Sequence, residues 1–244
     1  MDAAALRTVD LGRGARSLLG RPGVARVHSV HRRAFYLRIH GGLVAVTDPS
    51  APPGPLHLRC TPGLPAVSPG QAVAVDGVSV RGVGWCLYLD APTPPAVLPP
   101  PELLSDAVRP ADVREVAALI GGRGPGLTPA GDDVLAGLAL VARARGGPAA
   151  EDELLACVAA VETTSLAAAF LGWAARGESI APAHEALGHL VGHREDPGSE
   201  ARLAATGASS GEALLLGLRL GVRRGRLRPG GVLDHRLFTI VGID

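Results

Sequence analysis

The sequence predicts an α+β protein that consists of a β-rich N-terminal domain, residues 1–100, and a mainly helical domain, residues 101–244. Three observations predict this division. Short β-branched and aromatic runs, separated by turn residues, fill the first part of the chain. A proline-rich connector follows at residues 91–101 and cannot be the interior of a helix. Beyond the connector, apolar residues recur at helical spacing.

Seven short segments predict the strands of a small antiparallel barrel or sandwich. They are rich in β-branched and aromatic residues, and turn sites such as Gly41-Gly42 and Asp76-Gly77 separate them. The chain before them, residues 3–19, alternates loosely between apolar and charged side chains, so we expect a short amphipathic helix there. The predicted strands are residues 24–30, 34–40, 43–47, 56–60, 72–75, 78–80 and 85–89.

Seven segments of the second domain predict helices. Two of them, residues 132–144 and 165–176, are apolar on nearly all sides, so we expect both to be buried. Gly137, Gly172 and Gly217 lie inside predicted helices, and we expect these helices to pack closely against one another. The predicted helices are residues 111–120, 132–144, 151–162, 165–176, 182–191, 199–205 and 210–222, and residues 237–241 of the extended tail 226–243 are predicted as a last strand.

The charged residues exclude several kinds of chemistry. All 24 residues of the Lys and Arg class are Arg, because the sequence contains no Lys. A Schiff-base lysine and the lysine of a P-loop are therefore unavailable. The formal net charge of +1 argues against a nucleic-acid partner. A phosphate or carboxylate group must be bound by Arg, hydroxyl groups and backbone N–H groups.

The cysteines and the apolar runs predict a cytoplasmic protein. Cys60, Cys86 and Cys157 are widely spaced and odd in number, which is typical of buried thiols in a reducing compartment. The N-terminus lacks the basic and apolar regions of a signal peptide. Gly, Arg or Glu interrupts each apolar run before the roughly 18 residues that a membrane helix needs. We expect no membrane association.

The strongest candidate site is the glycine-rich loop at residues 121–133, which leads directly into a predicted buried helix. Glycine permits backbone conformations that bring amide groups close to a ligand, and the start of a helix favours an anion. An anion site here would use the amide groups of residues 124–128, the Thr128 hydroxyl and Arg123. Thr128 and Asp132 are also suitable N-caps for the helix.

The adjacent carboxylates of Asp132 and Asp133 would repel an anion placed directly on them. Three interpretations remain open. The two side chains cap the helix, or one of them accepts hydrogen bonds from an amide or ammonium group of a substrate. Alternatively, the pair holds a divalent metal ion such as Mg2+ beside a phosphate group.

Two further segments begin predicted helices with hydroxyl side chains. Thr163 and Thr164 precede one helix and are suited to cap it, and they could present hydroxyl groups to the same place as the glycine loop. Ser209, Ser210 and Gly211 begin another. Because three such starts fall in one helical domain, we expect them to converge on one pocket. The histidine spacing does not match a zinc protease, and Gly-x-Ser-x-Gly is missing.

Side by side, these segments resemble the AllH-like family of oxamate carbamoyltransferase subunits. The resemblance is carried by residues 124–133, 163–165 and 207–211 together with Gly137, and it covers about residues 105–225. The sequence departs from the family pattern at Ala208 and Glu212, where the family usually has His and Asp.

The resemblance implies carbamoyl transfer to or from carbamoyl phosphate, by a subunit that works beside two other proteins. Binding and charge stabilisation would carry the catalysis, so no cofactor is required unless Mg2+ occupies the aspartate pair. Alternatives are a non-catalytic subunit that binds a small anionic metabolite, or a metal-assisted enzyme, and the partners are protein subunits or further copies of the chain. The predicted substrate-binding residues are Arg123, Gly124, Gly126, Leu127, Thr128, Gly131, Thr163, Thr164, Ser209, Ser210 and Gly211, and the predicted catalytic residues are Asp132 and Asp133.

Overall fold

A computed structural model describes residues 4–223, which form two compact units that divide between Pro95 and Ala96. The division falls within the proline-rich connector. The tail strand predicted at residues 237–241 lies outside the described residues. None of the helices between residues 4 and 223 combines the length and the apolar character that crossing a membrane requires.

The first unit is a closed eight-stranded barrel with one helix, α1 (Arg13–Leu19). Around the barrel the strands follow the order β1-β5-β4-β3-β2-β6-β7-β8. Seven of the eight strands lie where the sequence predicts them, which confirms the barrel-like β domain. The strands are β1 (Ala4–Leu11), β2 (Gly23–His31), β3 (Ala34–Ile39), β4 (Gly42–Thr47), β5 (His57–Thr61), β6 (Ala72–Val75), β7 (Ser79–Gly82) and β8 (Trp85–Tyr88).

The prediction of a helix over residues 3–19 is wrong for its first half, because β1 occupies that stretch and closes the barrel. It pairs antiparallel with β5 and parallel with β8. Leu6 and Leu11 are buried in the barrel core, whereas Arg7 and Val9 are exposed. The loose alternation in the sequence therefore follows the period of a strand, with one register shift. Besides β1–β8, only β4–β5 pairs in parallel among the strands of the barrel.

The second unit is helical, and α3 lies at its centre. Of the 17 residues of α3, 13 are buried, as expected from its nearly uniform apolar surface. All seven helices predicted in this part of the chain are confirmed. They are α2 (Pro110–Ile120), α3 (Ala130–Gly146), α4 (Glu151–Ala159), α5 (Ser165–Ala175), α6 (Ala181–Leu190), α7 (Ser199–Ala204) and α8 (Ser210–Gly221), with short 3-10 helices at Pro101–Leu104 and Gly147–Ala150.

Helices α3 and α8 run parallel and touch backbone to backbone. A Cβ atom on Gly217 would lie 2.1 Å from the carbonyl oxygen of Val134, and one on Gly137 would lie 2.5 Å from that of Leu214. Further along, a Cβ atom on Gly221 would lie 3.0 Å from the Val141 side chain. Close packing through glycine is therefore confirmed for these two helices.

Helix α5 differs from the prediction in two respects. A Cβ atom on Gly172 would meet only the end of the Arg176 side chain, at 3.3 Å, so this glycine does not mediate close packing. The expectation that α5 is buried on all sides is also wrong, because Ala168 is exposed and Trp173 is half-buried. The Arg176 guanidinium lies 5.4 Å from the centre of the Trp173 ring, so a cation covers part of this apolar face.

The three helix glycines provide a test of the α3–α8 contact. We expect Gly217→Ala to lower the free energy of unfolding by about 2–3 kcal/mol, since the new methyl group forces the helices apart. Gly172→Ala is the matched control. We expect it to raise stability by up to about 1 kcal/mol, because alanine favours a helix interior and only a flexible side chain must move. Urea unfolding of both variants measures this, and equal effects would contradict the assigned contact.

Candidate functional site

Three helix starts meet at one end of α3, and they contain all three segments that the sequence analysis selected. The glycine loop, here residues 121–129, leads into α3, while the turns before Ser165 and Ser210 lead into α5 and α8. Because α3 and α8 run parallel, their N-termini lie at the same end of the unit. Side-chain hydrogen bonds then join the loop to each of the two turns.

Asp132 joins the beginning of the loop to the turn before α5. Its Oδ1 accepts the amide N–H of Gly122 at 2.7 Å, and its Oδ2 accepts the hydroxyl of Thr163. The residue is 2% exposed, so these two contacts replace water. Both carboxylate oxygens are thus engaged inside the protein.

The prediction that Thr128 or Asp132 caps α3 is wrong. Pro129 occupies the N-cap position and makes no side-chain cap bond. Asp132 is already the third residue of the helix. The chain folds back before α3, so the donor that reaches Asp132 is Gly122 in the loop rather than an amide of the first helical turn.

The glycines of the loop adopt conformations that other residues avoid. Gly122, Gly124 and Gly126 have φ values of 71°, 117° and 96°. A Cβ atom on Gly122 would lie 2.2 Å from the carbonyl oxygen of Glu162, so the loop touches the turn before α5 through its backbone. Gly122 was not among the predicted site residues, although a glycine pair directly after a helix is a recognisable signal for such a turn.

Several backbone amides of the loop remain available. Within residues 4–223, the amide N–H groups of Gly124, Gly126, Leu127 and Thr128 have no hydrogen-bond partner in the protein. The last three are consecutive and precede Pro129, the N-cap residue of α3. Such a run of donors at a helix N-terminus can bind an anion.

Hydroxyl groups fix the second half of the loop. Thr164 caps α5, as predicted, by accepting the Ala167 N–H at 3.1 Å, and its hydroxyl also donates to the carbonyl oxygen of Leu127 at 2.5 Å. The Thr128 and Ser210 hydroxyls form a hydrogen bond of 2.9 Å, although 82 positions separate them in the chain. The loop is therefore held against the starts of both α5 and α8.

The remaining predicted site residues have other surroundings. The Arg123 side chain is exposed, and its carbonyl oxygen accepts the Gly131 N–H at 2.9 Å. Ser209 is exposed and makes no side-chain cap bond to α8. Cβ atoms on Gly131 and Gly211 would each lie 2.0 Å from a carbonyl oxygen, that of Ile120 in the first case, so both glycines allow close backbone packing.

Asp133 differs from Asp132 in its hydrogen bonding. Its Oδ2 is buried and has no hydrogen-bond partner within the part of the chain that the structure describes. Burial raises the pKa of Asp133 to about 7; the Ser210 and Thr128 hydroxyls oppose this shift and the Asp132 carboxylate adds to it. Asp133 is therefore the carboxyl group of the cluster that can gain or lose a proton near neutral pH.

Of the two interpretations of the aspartate pair that remain, the metal site has less support in the geometry than hydrogen bonding to a substrate. No three His, Cys, Asp or Glu side chains between residues 4 and 223 come together as a set of metal ligands. Since both oxygens of Asp132 already accept hydrogen bonds from Gly122 and Thr163, a metal ion would have to displace these donors.

Converging helix starts with available amides and hydroxyls are typical of proteins that bind small anionic metabolites. The family model described as oxamate carbamoyltransferase subunit AllH matches residues 119–222. This stretch is less than half of the 244-residue chain, and it contains the glycine loop and both turns. The resemblance seen in the sequence is thereby confirmed for this region. Neither a curated protein nor a solved structure matches the chain.

The surroundings of Asp133 predict a stability that depends on pH. In the unfolded chain its carboxyl group ionises near the ordinary pKa of 3.8, and in the folded protein near 7. Between these values the folded state binds more protons, so the contribution of Asp133 to stability is lost as pH rises from about 4 to about 7.

Asp133→Asn removes this loss. We expect the variant to match the wild type at pH 4 and to exceed it at pH 7.5 by roughly 2 kcal/mol, about half of the full linkage value because Asp133 is partly exposed. Chemical unfolding at both pH values measures the difference. The control is Asp152→Asn, at an exposed position in the first turn of α4. A stabilisation of Asp133→Asn that is the same at both pH values would contradict the assignment.

Proposed function

We propose that the helical unit is the ligand-binding part of a carbamoyltransferase subunit and that it holds a small anionic metabolite such as carbamoyl phosphate. One observation carries this proposal: hydroxyl groups hold the loop against the starts of α5 and α8, and amides of this loop have no partner within residues 4–223. The family match over residues 119–222 adds the reaction class, since its description names a subunit of oxamate carbamoyltransferase.

The phosphate group of the ligand would be bound by neutral donors. The amides of Gly126, Leu127 and Thr128 supply consecutive N–H groups, and the Thr128 and Ser210 hydroxyls would exchange their mutual hydrogen bond for bonds to phosphate oxygens. The exposed Arg123 side chain supplies the positive charge at the rim of the loop. This set would allow a chain that has no lysine to bind a phosphate group.

Asp133 would serve the carbamoyl end of the ligand and the proton that the reaction releases. Transfer breaks the bond between the carbamoyl carbon and a phosphate oxygen and forms a bond from that carbon to the acceptor nitrogen, which loses a proton. A carboxyl group with a pKa of about 7 can accept this proton at neutral pH. Before transfer, it can accept an N–H of the carbamoyl amide. The scheme requires no cofactor.

A second candidate function is binding without catalysis. The family description names a subunit, and Ala208 and Glu212 stand where the family usually has His and Asp. In this case the helical unit would hold the metabolite for a partner protein that supplies the remaining catalytic groups.

Calorimetry of the purified chain with phosphate and with carbamoyl phosphate, each with and without Mg2+, tests the proposal. We expect both anions to bind without Mg2+, and we expect Ser210→Ala and Thr128→Val each to weaken binding by about tenfold through the loss of a charge-assisted hydrogen bond. Thr206→Val is the matched control, because within residues 4–223 its hydroxyl bonds only to the Arg202 carbonyl, at 3.2 Å.

The outcomes separate the alternatives. If neither anion binds, the proposal is wrong. Binding that depends entirely on Mg2+ would favour a metal-assisted enzyme that uses the aspartates. Binding without turnover until a partner protein is added would favour the second candidate function.

A further inference from the structure

The two adjacent aspartates at the start of α3 have different surroundings, and this difference carries an inference about their roles. We propose that Asp132 is a positioning residue, which holds the glycine loop in the shape that binds the ligand, and that it makes no ligand contact of its own. The ligand in this statement is the anion of the proposed function, but the effect on the loop is independent of any ligand.

Asp132 and its neighbour Gly131 hold the beginning of the loop. Asp132 Oδ1 holds the Gly122 amide at 2.7 Å, at the point where the chain turns with a φ of 71°. Directly after it, the Arg123 carbonyl accepts the N–H of Gly131, one residue before Asp132. Two adjacent residues of α3, Gly131 and Asp132, thus bind two adjacent residues of the loop, Arg123 and Gly122 respectively. The direction in which the following amides point is fixed by these two bonds.

Asp132 also acts on the far side of the loop, through the turn before α5. Asp132 Oδ2 accepts the Thr163 hydroxyl, and the next residue, Thr164, donates its hydroxyl to the Leu127 carbonyl at 2.5 Å. When Asp132 holds Thr163, it therefore also fixes the residue that holds Leu127. Asp132 reaches both ends of the segment from Gly122 to Leu127, one directly and the other through the turn before α5.

The Asp132 side chain has no free oxygen with which to bind a ligand. Asp132 is 2% exposed, and both of its oxygens have protein donors. Asp133, by contrast, keeps a buried oxygen without a partner within residues 4–223. The geometry therefore assigns support of the loop to Asp132 and leaves Asp133 as the carboxyl group for chemistry.

Amide hydrogen exchange of the protein without ligand tests this directly. We expect Asp132→Ala to speed exchange of the Gly122, Arg123 and Gly131 amides by at least about tenfold, since two hydrogen bonds to a charged group are lost. Exchange in the core of α3 should stay within about threefold of the wild type. Asp152→Ala, at the exposed start of α4, is the control and should change neither set of amides.

A conservative substitution separates positioning from chemistry. Asn at position 132 can still accept the Gly122 amide and can donate to the Thr163 oxygen, so we expect Asp132→Asn to keep loop exchange and phosphate affinity within about threefold of the wild type. Asp132→Ala should weaken phosphate binding by at least about tenfold. The proposal is overturned if Asn is as damaging as Ala for phosphate binding while loop exchange stays at the wild-type rate, because Asp132 would then act on the ligand through its charge.

Thr163 provides a second route if Asp132→Ala does not fold. Thr163→Val removes the hydroxyl but keeps the shape, and we expect at least about fivefold faster exchange at Gly122 and Arg123, whereas Thr163→Ser should restore the wild-type rate. Unchanged exchange in Thr163→Val would overturn the link through the turn before α5. If the wild type binds no anion, the proposed function fails, yet the exchange measurements still decide whether Asp132 positions the loop.

Discussion

The helical unit depends on the backbone contact between α3 and α8. Gly137 and Gly217 each lie seven residues after the start of their helix, and the two helices cross there without room for a side chain. Since the helices are parallel and cross at equal distances from their starts, their N-termini lie side by side. A hydrogen bond between Thr128 and Ser210 is the direct consequence. Side chains larger than hydrogen at the crossing would separate the starts as well as the helices.

Parallel packing at such close range has an electrostatic cost. Each helix N-terminus carries roughly half a positive charge, and α5 begins beside the other two. Asp132 and Asp133 lie beside these partial positive charges, but their surroundings differ. Asp132 is buried and accepts donors from two segments, whereas the environment of Asp133 favours its neutral form. The two aspartates therefore differ in how they answer the three partial positive charges, because Asp132 is engaged by protein donors and Asp133 can gain or lose a proton near neutral pH.

Much of the fold follows from short-range signals. The β-branched and aromatic residues between turn sites indicate seven strands. The pair Thr163 and Thr164 predicts a cap for α5, because a cap bond spans only three residues, and Thr164 makes this bond. The strand β1 was missed because its alternation is interrupted by a register shift between Thr8 and Asp10. Its two partners, β5 and β8, come much later in the chain, so no local pattern indicates the pairing.

At the candidate site, too, local sequence patterns do not indicate long-range contacts. Sequence spacing selected the three segments that meet, because each is a hydroxyl- or glycine-rich helix start. It could not assign their contacts, since the Thr128–Ser210 bond depends on a helix crossing that links residues 82 positions apart. Asp132 and Asp133 look equivalent in the sequence, because their contacts with other segments depend on the fold. Only the fold of the preceding loop, which delivers the Gly122 amide to Asp132, distinguishes them.

The different surroundings of Asp132 and Asp133 matter for the proposal that this chain, which has no lysine, binds a phosphate group. Backbone amides and hydroxyls carry no net charge and bind an anion by directional hydrogen bonds. The affinity of such a site therefore depends on how firmly the loop is held in place. A loop with three positive-φ glycines has many accessible conformations when it is free, and ordering it opposes binding. If the loop binds an anion as proposed, Asp132 would reduce this cost, because its hydrogen bonds to Gly122 and Thr163 are already made within the protein. In such a site, Asp132 would favour the binding of an anion that it does not touch, because it orders the loop that supplies the donors.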